Sequence, residues 1–309
     1  MDNYLLFLGG VIAAGAGGEV FIRGAVGIAH WARIPAGIIG ATVAAFATSS
    51  PECAVAVSAA LAGTPEIALG DALGSNVVNV ALILGLVLLL ADLQAPRNSL
   101  KRDFPIAMLA PGLLAVLAFD GLLSRLDGLL LLGVFGTWLI ATALEARRQR
   151  SAAEHVLGEY QAGRALGACL LGLLLLIVAG RLIVSGAVGV AQAFGLSEFV
   201  IGATVVAIGT SMPELATALI AKLRGHDEIG LGTILGSNIF NGLWIVAVTA
   251  IITPIPVSWR TVGVGLGFGM LTVACLFPGQ AGWLTRKRGA LLLALYIVYV
   301  GTILTQHTA

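Results

Sequence analysis

Ile38-Ile39-Gly40-Ala41-Thr42-Val43-Ala44-Ala45-Phe46-Ala47-Thr48-Ser49-Ser50-Pro51-Glu52 returns 162 residues later as Val200-Ile201-Gly202-Ala203-Thr204-Val205-Val206-Ala207-Ile208-Gly209-Thr210-Ser211-Met212-Pro213-Glu214, with ten of fifteen positions identical. A second block, Gly70–Val80, returns at Gly232–Gly242 with the same offset. It repeats Gly74-Ser75-Asn76-x-x-Asn79 as Gly236-Ser237-Asn238-x-x-Asn241. Gly24-Ala25-Val26-Gly27 likewise returns as Gly186-Ala187-Val188-Gly189. Two halves of one 309-residue chain therefore share an architecture, and each places one glutamate in an otherwise apolar stretch.

The surroundings of these blocks are those of a membrane protein. The chain is 58% hydrophobic and 11% charged, with a mean hydropathy of +1.00. A soluble domain of this length needs far more charge to cover its surface. Cys53, Cys169 and Cys275 sit singly in apolar segments, so neither a disulfide frame nor a metal-ligand spacing follows; they read as small packing residues. The N-terminus lacks a basic leader region, and the first apolar stretch is expected to be a retained helix.

Apolar runs of spanning length fall at 4–29, 35–62, 67–91, 103–119, 123–144, 163–193, 198–221, 228–253, 259–277 and 289–306. They predict an all-α fold of ten membrane helices, five in each half. With the N-terminus outside, the loops after the odd-numbered helices are cytoplasmic. These hold Arg23, Arg33, Arg97, Lys101, Arg102, Arg147, Arg148, Arg150, Arg164, Lys222, Arg224, Arg286, Lys287 and Arg288. The opposite loops hold only Arg125 and Arg260. Fourteen basic residues against two satisfies the positive-inside rule with both termini outside. Because five is odd, the second half enters from the opposite face. The expected organisation is a first repeat over 1–145, a short cytoplasmic linker over 146–162, and an inverted second repeat over 163–309. Inverted repeats mark secondary transporters that bind substrate near the midplane, between discontinuous helices. Helices 2, 3, 7 and 8, which carry the blocks, are the ones expected to break.

A carboxylate inside a spanning helix costs roughly 2.5–3.5 kcal/mol on insertion scales, so it faces a cavity or a partner. Glu52 and Glu214 each follow a proline, which removes a backbone donor and should free carbonyls such as those of Ala47 and Gly209. Each block thus gathers hydroxyls (Thr48 and Ser49; Thr210 and Ser211), carbonyls and one carboxylate at one depth. On the next helix Asp71, Ser75 and Asn79 are spaced four apart and share a face, as do Thr233, Ser237 and Asn241. These are hard oxygen ligands with no thiolate or imidazole among them. They suit Ca²⁺, and Na⁺ by the same argument, rather than Zn²⁺ or Cu⁺. Gly40, Gly70, Gly74, Gly202, Gly232 and Gly236 would let helices approach closely.

At these residues the chain resembles the cation/calcium exchanger superfamily, and within it the prokaryotic sodium/calcium exchangers. The motifs Gly-x-Thr-x-x-x-x-x-Thr-Ser-x-Pro-Glu and Gly-Ser-Asn-x-x-Asn, each present twice, carry the resemblance, and it spans the whole chain. It implies an inner-membrane antiporter that uses inward sodium flow to expel calcium, working as a monomer. It also implies ion coordination by the positions occupied here by Glu52, Glu214, Thr48, Thr210, Ser49, Ser211, Ser75, Ser237, Asn79 and Asn241, with the backbone carbonyls of Ala45 and Ala207. Family helices 1 and 6 are long and slide against the rest, a motion that the Gly-Ala-Val-Gly repeats would suit. Several members carry Asp where this chain has Asn241. Two glutamates balance one Ca²⁺ but undercompensate several Na⁺ ions. Asp71 could supply the third charge.

Other readings use the same residues differently. Proton/calcium exchange would employ the same two glutamates, and K⁺ could join the transported ions. A passive cation channel needs selectivity rings, usually built by several subunits. Enzymatic hydrolysis finds no HExxH, no GxSxG elbow, and no Lys or His beside a motif serine. No cofactor and no nucleic acid are expected; the partners are the transported ions and the bilayer. Glu19 and Arg181, matched positions in helices 1 and 6, read as interface or cavity-edge charges rather than as a salt bridge to each other. His30, His155, His226 and His307 lie near helix ends or loops and suggest no proton relay. Trp31, Trp138, Trp259 and Trp283 read as interface anchors.

Overall fold

A backbone that crosses lipid must satisfy its own hydrogen bonds, and the chain does so with helices. The computed structural model describes residues 2–63, 65–152, 162–193, 207–277 and 282–306. In the first half are α1 (Asp2–Ala32), α2 (Ala36–Thr48), α3 (Ser50–Leu61), α4 (Pro65–Leu90), α5 (Arg97–Leu117) and α6 (Arg125–Ala152). In the second are α7 (Ala162–Ala193), α8 (Ala207–Thr210), α9 (Met212–Leu223), α10 (Asp227–Ile252), α11 (Trp259–Leu276) and α12 (Arg286–Gln306). Charged ends lengthen two of them beyond their apolar runs, to Arg97 in α5 and Ala152 in α6. Among the described residues six helices are long and apolar enough to span, or seven if α2 and α3 count as one. Residues 153–161 of the linker, with His155, the start of the predicted seventh helix with Gly202, and His307 lie outside the described residues.

The α2–α3 pair bends by 46°. Ser49 leaves helical geometry there (φ −83°, ψ 9°), and Pro51 opens α3. Ser211 does the same between α8 and α9 (φ −84°, ψ 8°), with Pro213 following. The expected breaks in the third and eighth helices are absent: α4 and α10 run through. Each instead widens into a π-helical turn, over Val78–Leu84 and Phe240–Ile245. Their motif stretches contain no proline, so no backbone donor is lost and a wider turn suffices.

Four two-residue strands join the halves. β1 (Leu93–Gln94) pairs antiparallel with β4 (Trp283–Leu284), and β2 (Leu122–Leu123) with β3 (Ile255–Pro256). A shift of 162 carries β1 onto β3 and places β2 within a residue of β4, so the two pairs are repeat-related images. Among the described residues, the main apolar cluster draws on α2, α4, α5, α6, α9, α10, α11 and α12 but on none from α1 or α7. Those two helices press on each other through glycines. A Cβ added at Gly17 would lie 2.9 Å from the Leu175 Cβ, and one at Gly24 or Gly172 would strike the backbone of Cys169 or Phe21. Among the described residues they meet the rest through small apolar clusters, among them Ile22 with Ala221 and Ile229, and through the Glu19–Arg224 ion pair. The molecule is thus a helix pair leaning on a larger body.

Two charged networks bear on sequence-based readings. Glu19 is an ion-pair member: Arg224 donates to both its carboxylate oxygens, at 2.7 and 2.8 Å, and Arg23 bonds it at 2.6 Å. Arg224 caps the C-terminal end of α9, and repeat matching with Arg181 cannot reveal its contact with Glu19. Trp138 is 3% exposed rather than interfacial. Its indole N–H donates to the buried Asp103 carboxylate at 3.1 Å. Asp103 also accepts from Ser99 at 2.7 Å and from two nitrogens of Arg102, whose remaining arm reaches Glu145.

Candidate ion-binding site

The proline breaks create two helix N-termini inside the protein, and a carboxylate occupies the first turn of each: Glu52 on α3 and Glu214 on α9. The partial positive charge at a helix start favours an anion there. Both carboxylates are buried, at 1% and 0% exposure, and lie close enough for their charges to interact.

The halves interlock around them. The Ser49 hydroxyl, on the first-half break, donates to Glu214 Oε1 at 3.2 Å, and Ser237 on α10 donates to the same oxygen at 3.1 Å. Thr48 lies near enough to Glu214 to interact with it, although its hydroxyl bonds the Ala45 carbonyl. Thr210, its repeat counterpart, is in range of both Glu52 and Asp71. Each glutamate is thereby served by the opposite half. Ser75, Ser211 and Asn241 are fully buried, and Asn79 is 1% exposed. Buried side-chain atoms without a protein partner are concentrated here: Glu52 Oε2, Glu214 Oε2, Ser75 Oγ, Ser211 Oγ, Asn79 Oδ1 and both amide atoms of Asn241. Buried polar atoms are normally paired. A concentration of unpaired oxygens beside two carboxylates is the donor set that a hard cation satisfies.

Some expected oxygens are otherwise engaged. The Ala47 carbonyl, expected to be free, accepts the Ser50 hydroxyl at 2.7 Å. The Ala45 carbonyl accepts the Ser49 N–H at 2.9 Å and the Thr48 hydroxyl at 3.3 Å. Ala207 opens α8, close to the Thr210–Ser211 break. Thr233 spends its proton on the Ile229 carbonyl at 2.9 Å and leaves the set. Asp71 is half-buried at the edge of the site and joins it through Thr210. Sequence reasoning passed over Asn76, Asn238 and Thr217, all buried. Asn76 and Asn238 stand inside the repeated motif, the one signal that could have found them; Thr217 has Val55 as its counterpart and carries no such signal.

Close backbone approach joins the helices that carry the site. A Cβ at Gly40 would lie 2.7 Å from the Ile229 carbonyl oxygen, and one at Gly232 equally close to that of Gly37. Gly236 similarly abuts Ala45 and Ala41, so α2 and α10 touch along glycines. Gly70 and Gly74 show no such contact among the described residues.

Two stretches, 3–144 and 164–305, each match the family described as sodium/calcium exchanger protein. The chain belongs to that family. The exchanger is 38% identical over 230 residues to the inner membrane protein YrbG of Escherichia coli K12, covering 72% of this chain and 71% of that one. It is 25% identical over 345 residues to the sodium/calcium exchanger MaX1 of Methanosarcina acetivorans, covering 96% and 97%. Its fold is similar to that of the sodium-calcium exchanger NCX_Mj, solved after soaking with 100 mM Na⁺ and 10 mM Sr²⁺. The TM-score is 0.83 at 30% identity, over 97% of this chain and 98% of that one. The exchanger is a multi-pass membrane protein and a transporter.

Proposed function

We propose that the chain exchanges Na⁺ for Ca²⁺ across the inner membrane by alternating access at one site formed from both halves. The observation that carries this is the cross-half arrangement of two buried glutamates amid unpaired hydroxyl and amide oxygens. Calcium bridges Glu52 and Glu214 together with Ser49, Ser211, Ser75, Ser237, Asn79 and Asn241. Sodium ions displace it by taking Thr48, Thr210, the Ala45 and Ala207 carbonyls, and a share of the same carboxylates. Competition for common oxygens makes the exchange obligatory.

The organisation that suits this is ten spanning helices in two inverted repeats, 1–145 and 163–309, joined by 146–162, with both termini outside. The repeat-related strand pairs and the twin breaks at Ser49 and Ser211 support it. So does the separate match of each half to the family. Asp71 supplies the third negative charge that several sodium ions require, a role supported by the Thr210 side chain it shares with Glu52. One protomer suffices, since both halves of the site come from one chain.

The test is radiocalcium uptake by proteoliposomes of the purified protein under imposed Na⁺, K⁺ or H⁺ gradients. Uptake driven by an outward sodium gradient alone is expected. Uptake that follows only a pH gradient would reassign the same glutamates to proton/calcium exchange. Flux indifferent to any counter-ion would make the protein a channel.

A further inference from the structure

Of the four asparagines related by the 162-residue repeat, Asn76, Asn79 and Asn238 stitch α4 to α10, and Asn241 does not. The Asn76 amide donates to the Asn238 backbone carbonyl at 3.3 Å, and the Asn238 amide donates to the Asn76 backbone carbonyl at 3.1 Å. This reciprocal pair is a two-fold clamp, buried on both sides. A carbonyl oxygen only accepts, so each clamp residue must turn its NH₂ toward the opposite backbone. Asn238 therefore presents Oδ1 on its other side, and that oxygen accepts Asn79 Nδ2 at 3.1 Å. With its NH₂ so engaged, Asn79 is left with Oδ1 as its free face, and that atom is buried with no protein partner.

We propose that Asn238 is a positioning residue that aims the Asn79 carbonyl oxygen at the transported cation and keeps its NH₂ away. A carboxamide offers a cation one useful atom out of two, and a flipped Asn79 would set a positive N–H dipole against the ion. The proposal rests on the exchange reading above, which makes Asn79 a ligand. The repeat image of this brace would run from Asn241 Nδ2 to Asn76 Oδ1. Those two atoms are both buried and without a protein partner. The brace is therefore engaged in one half only, which separates aiming from clamping. Asn238 and Asn76 each give one hydrogen bond to the clamp, but Asn238 alone also holds a ligand.

The experiment is calcium binding to purified, detergent-solubilised protein by titration calorimetry, with radiocalcium exchange kinetics in parallel. Asn238→Ala is expected to weaken calcium binding about 10-fold, through a raised KM at little-changed kcat. Asn76→Ala should weaken it less than about threefold while costing similar thermal stability. In an Asn79→Ala background, Asn238→Ala should add no more than the clamp's share, less than about threefold, because the residue it aims is gone. If the Asn238→Ala protein does not fold, Asn238→Leu keeps the branched outline of the side chain while removing both the acceptor and the donor. Equal losses in the Asn238 and Asn76 variants overturn the proposal, as does an additive loss in the double variant. Failure of both Asn238 variants to fold, while Asn76→Ala folds, also overturns it and leaves Asn238 a structural clamp. A wild-type protein that binds no calcium would instead sink the exchange reading.

Discussion

At the scale of single residues, the site is built from charge that the opposite half satisfies. Glu52→Gln and Glu214→Gln keep size and helix position but remove one negative charge each. Losing one member of a buried charge set costs about 3–5 kcal/mol. Sodium-driven calcium uptake should therefore fall about 100-fold or more in either variant, with expression and detergent stability retained. Near-normal transport in either would overturn the site assignment. Ser49 and Ser237 both donate to Glu214 Oε1, and a hydrogen bond to a charged group is worth roughly 1.5–3 kcal/mol. Either alanine variant should raise the KM for calcium about 10-fold. The double variant should fall short of the product, because both hydroxyls act on one oxygen; a fully multiplicative effect would mean that they serve different ions. Asp71 sits one contact further out, so its substitution by Asn should alter sodium dependence more than calcium affinity.

Elements decide which contacts are stiff. The α1–α7 crossing depends on Gly17, Gly24 and Gly172, where an added Cβ meets backbone or a Cβ that cannot rotate away. Gly172→Val should lower the melting temperature and transport together, since overpacking costs about 1–3 kcal/mol or more. Gly167→Val on the same helix is the control, because nothing lies within 4 Å of the added Cβ. Equal damage from both would mean that close approach is not what holds the pair. Ion pairs divide in the same way. The Glu19–Arg224 pair is part-exposed, and Glu19→Ala should cost about 1 kcal/mol or less. Asp103 is fully buried and accepts from Ser99, Arg102 and Trp138. Asp103→Ala leaves the partly buried Arg102 guanidinium with Glu145 alone and strips Ser99 and Trp138 of their acceptor; it should cost about 3 kcal/mol, read as a far larger drop in melting temperature.

For the whole molecule, the basic residues predict the orientation. In a cysteine-free background, Lys101→Cys should react with a membrane-impermeant thiol reagent from the cytoplasmic face only. Phe119→Cys, at the other end of α5 and 82% exposed, should react only from outside. The reverse pattern would invert the proposed topology and the direction of exchange with it. A leaning helix pair that, among the described residues, shares no main cluster with the body suits a transporter in which one part moves against the other.

Much of this was legible in the chain. The offset of 162, the doubled Pro-Glu and the paired Gly-Ser-Asn-x-x-Asn blocks are covalent facts, and apolar runs long enough to span must become helices because lipid offers the backbone no partners. The sequence alone therefore determined the helical class, the family resemblance and the two carboxylates. It could not say which oxygens remain available, because that depends on neighbours distant in the chain. Ser50 occupies the Ala47 carbonyl, Thr233 bonds back to its own helix, and Arg224 reaches 205 residues away to Glu19. Nor could it show that α4 and α10 stay continuous, or that Asn238 turns Asn79. Those outcomes follow from the geometry of packed helices, where each hydrogen goes to whichever acceptor the fold brings within 3.5 Å, and only the tertiary structure decides that.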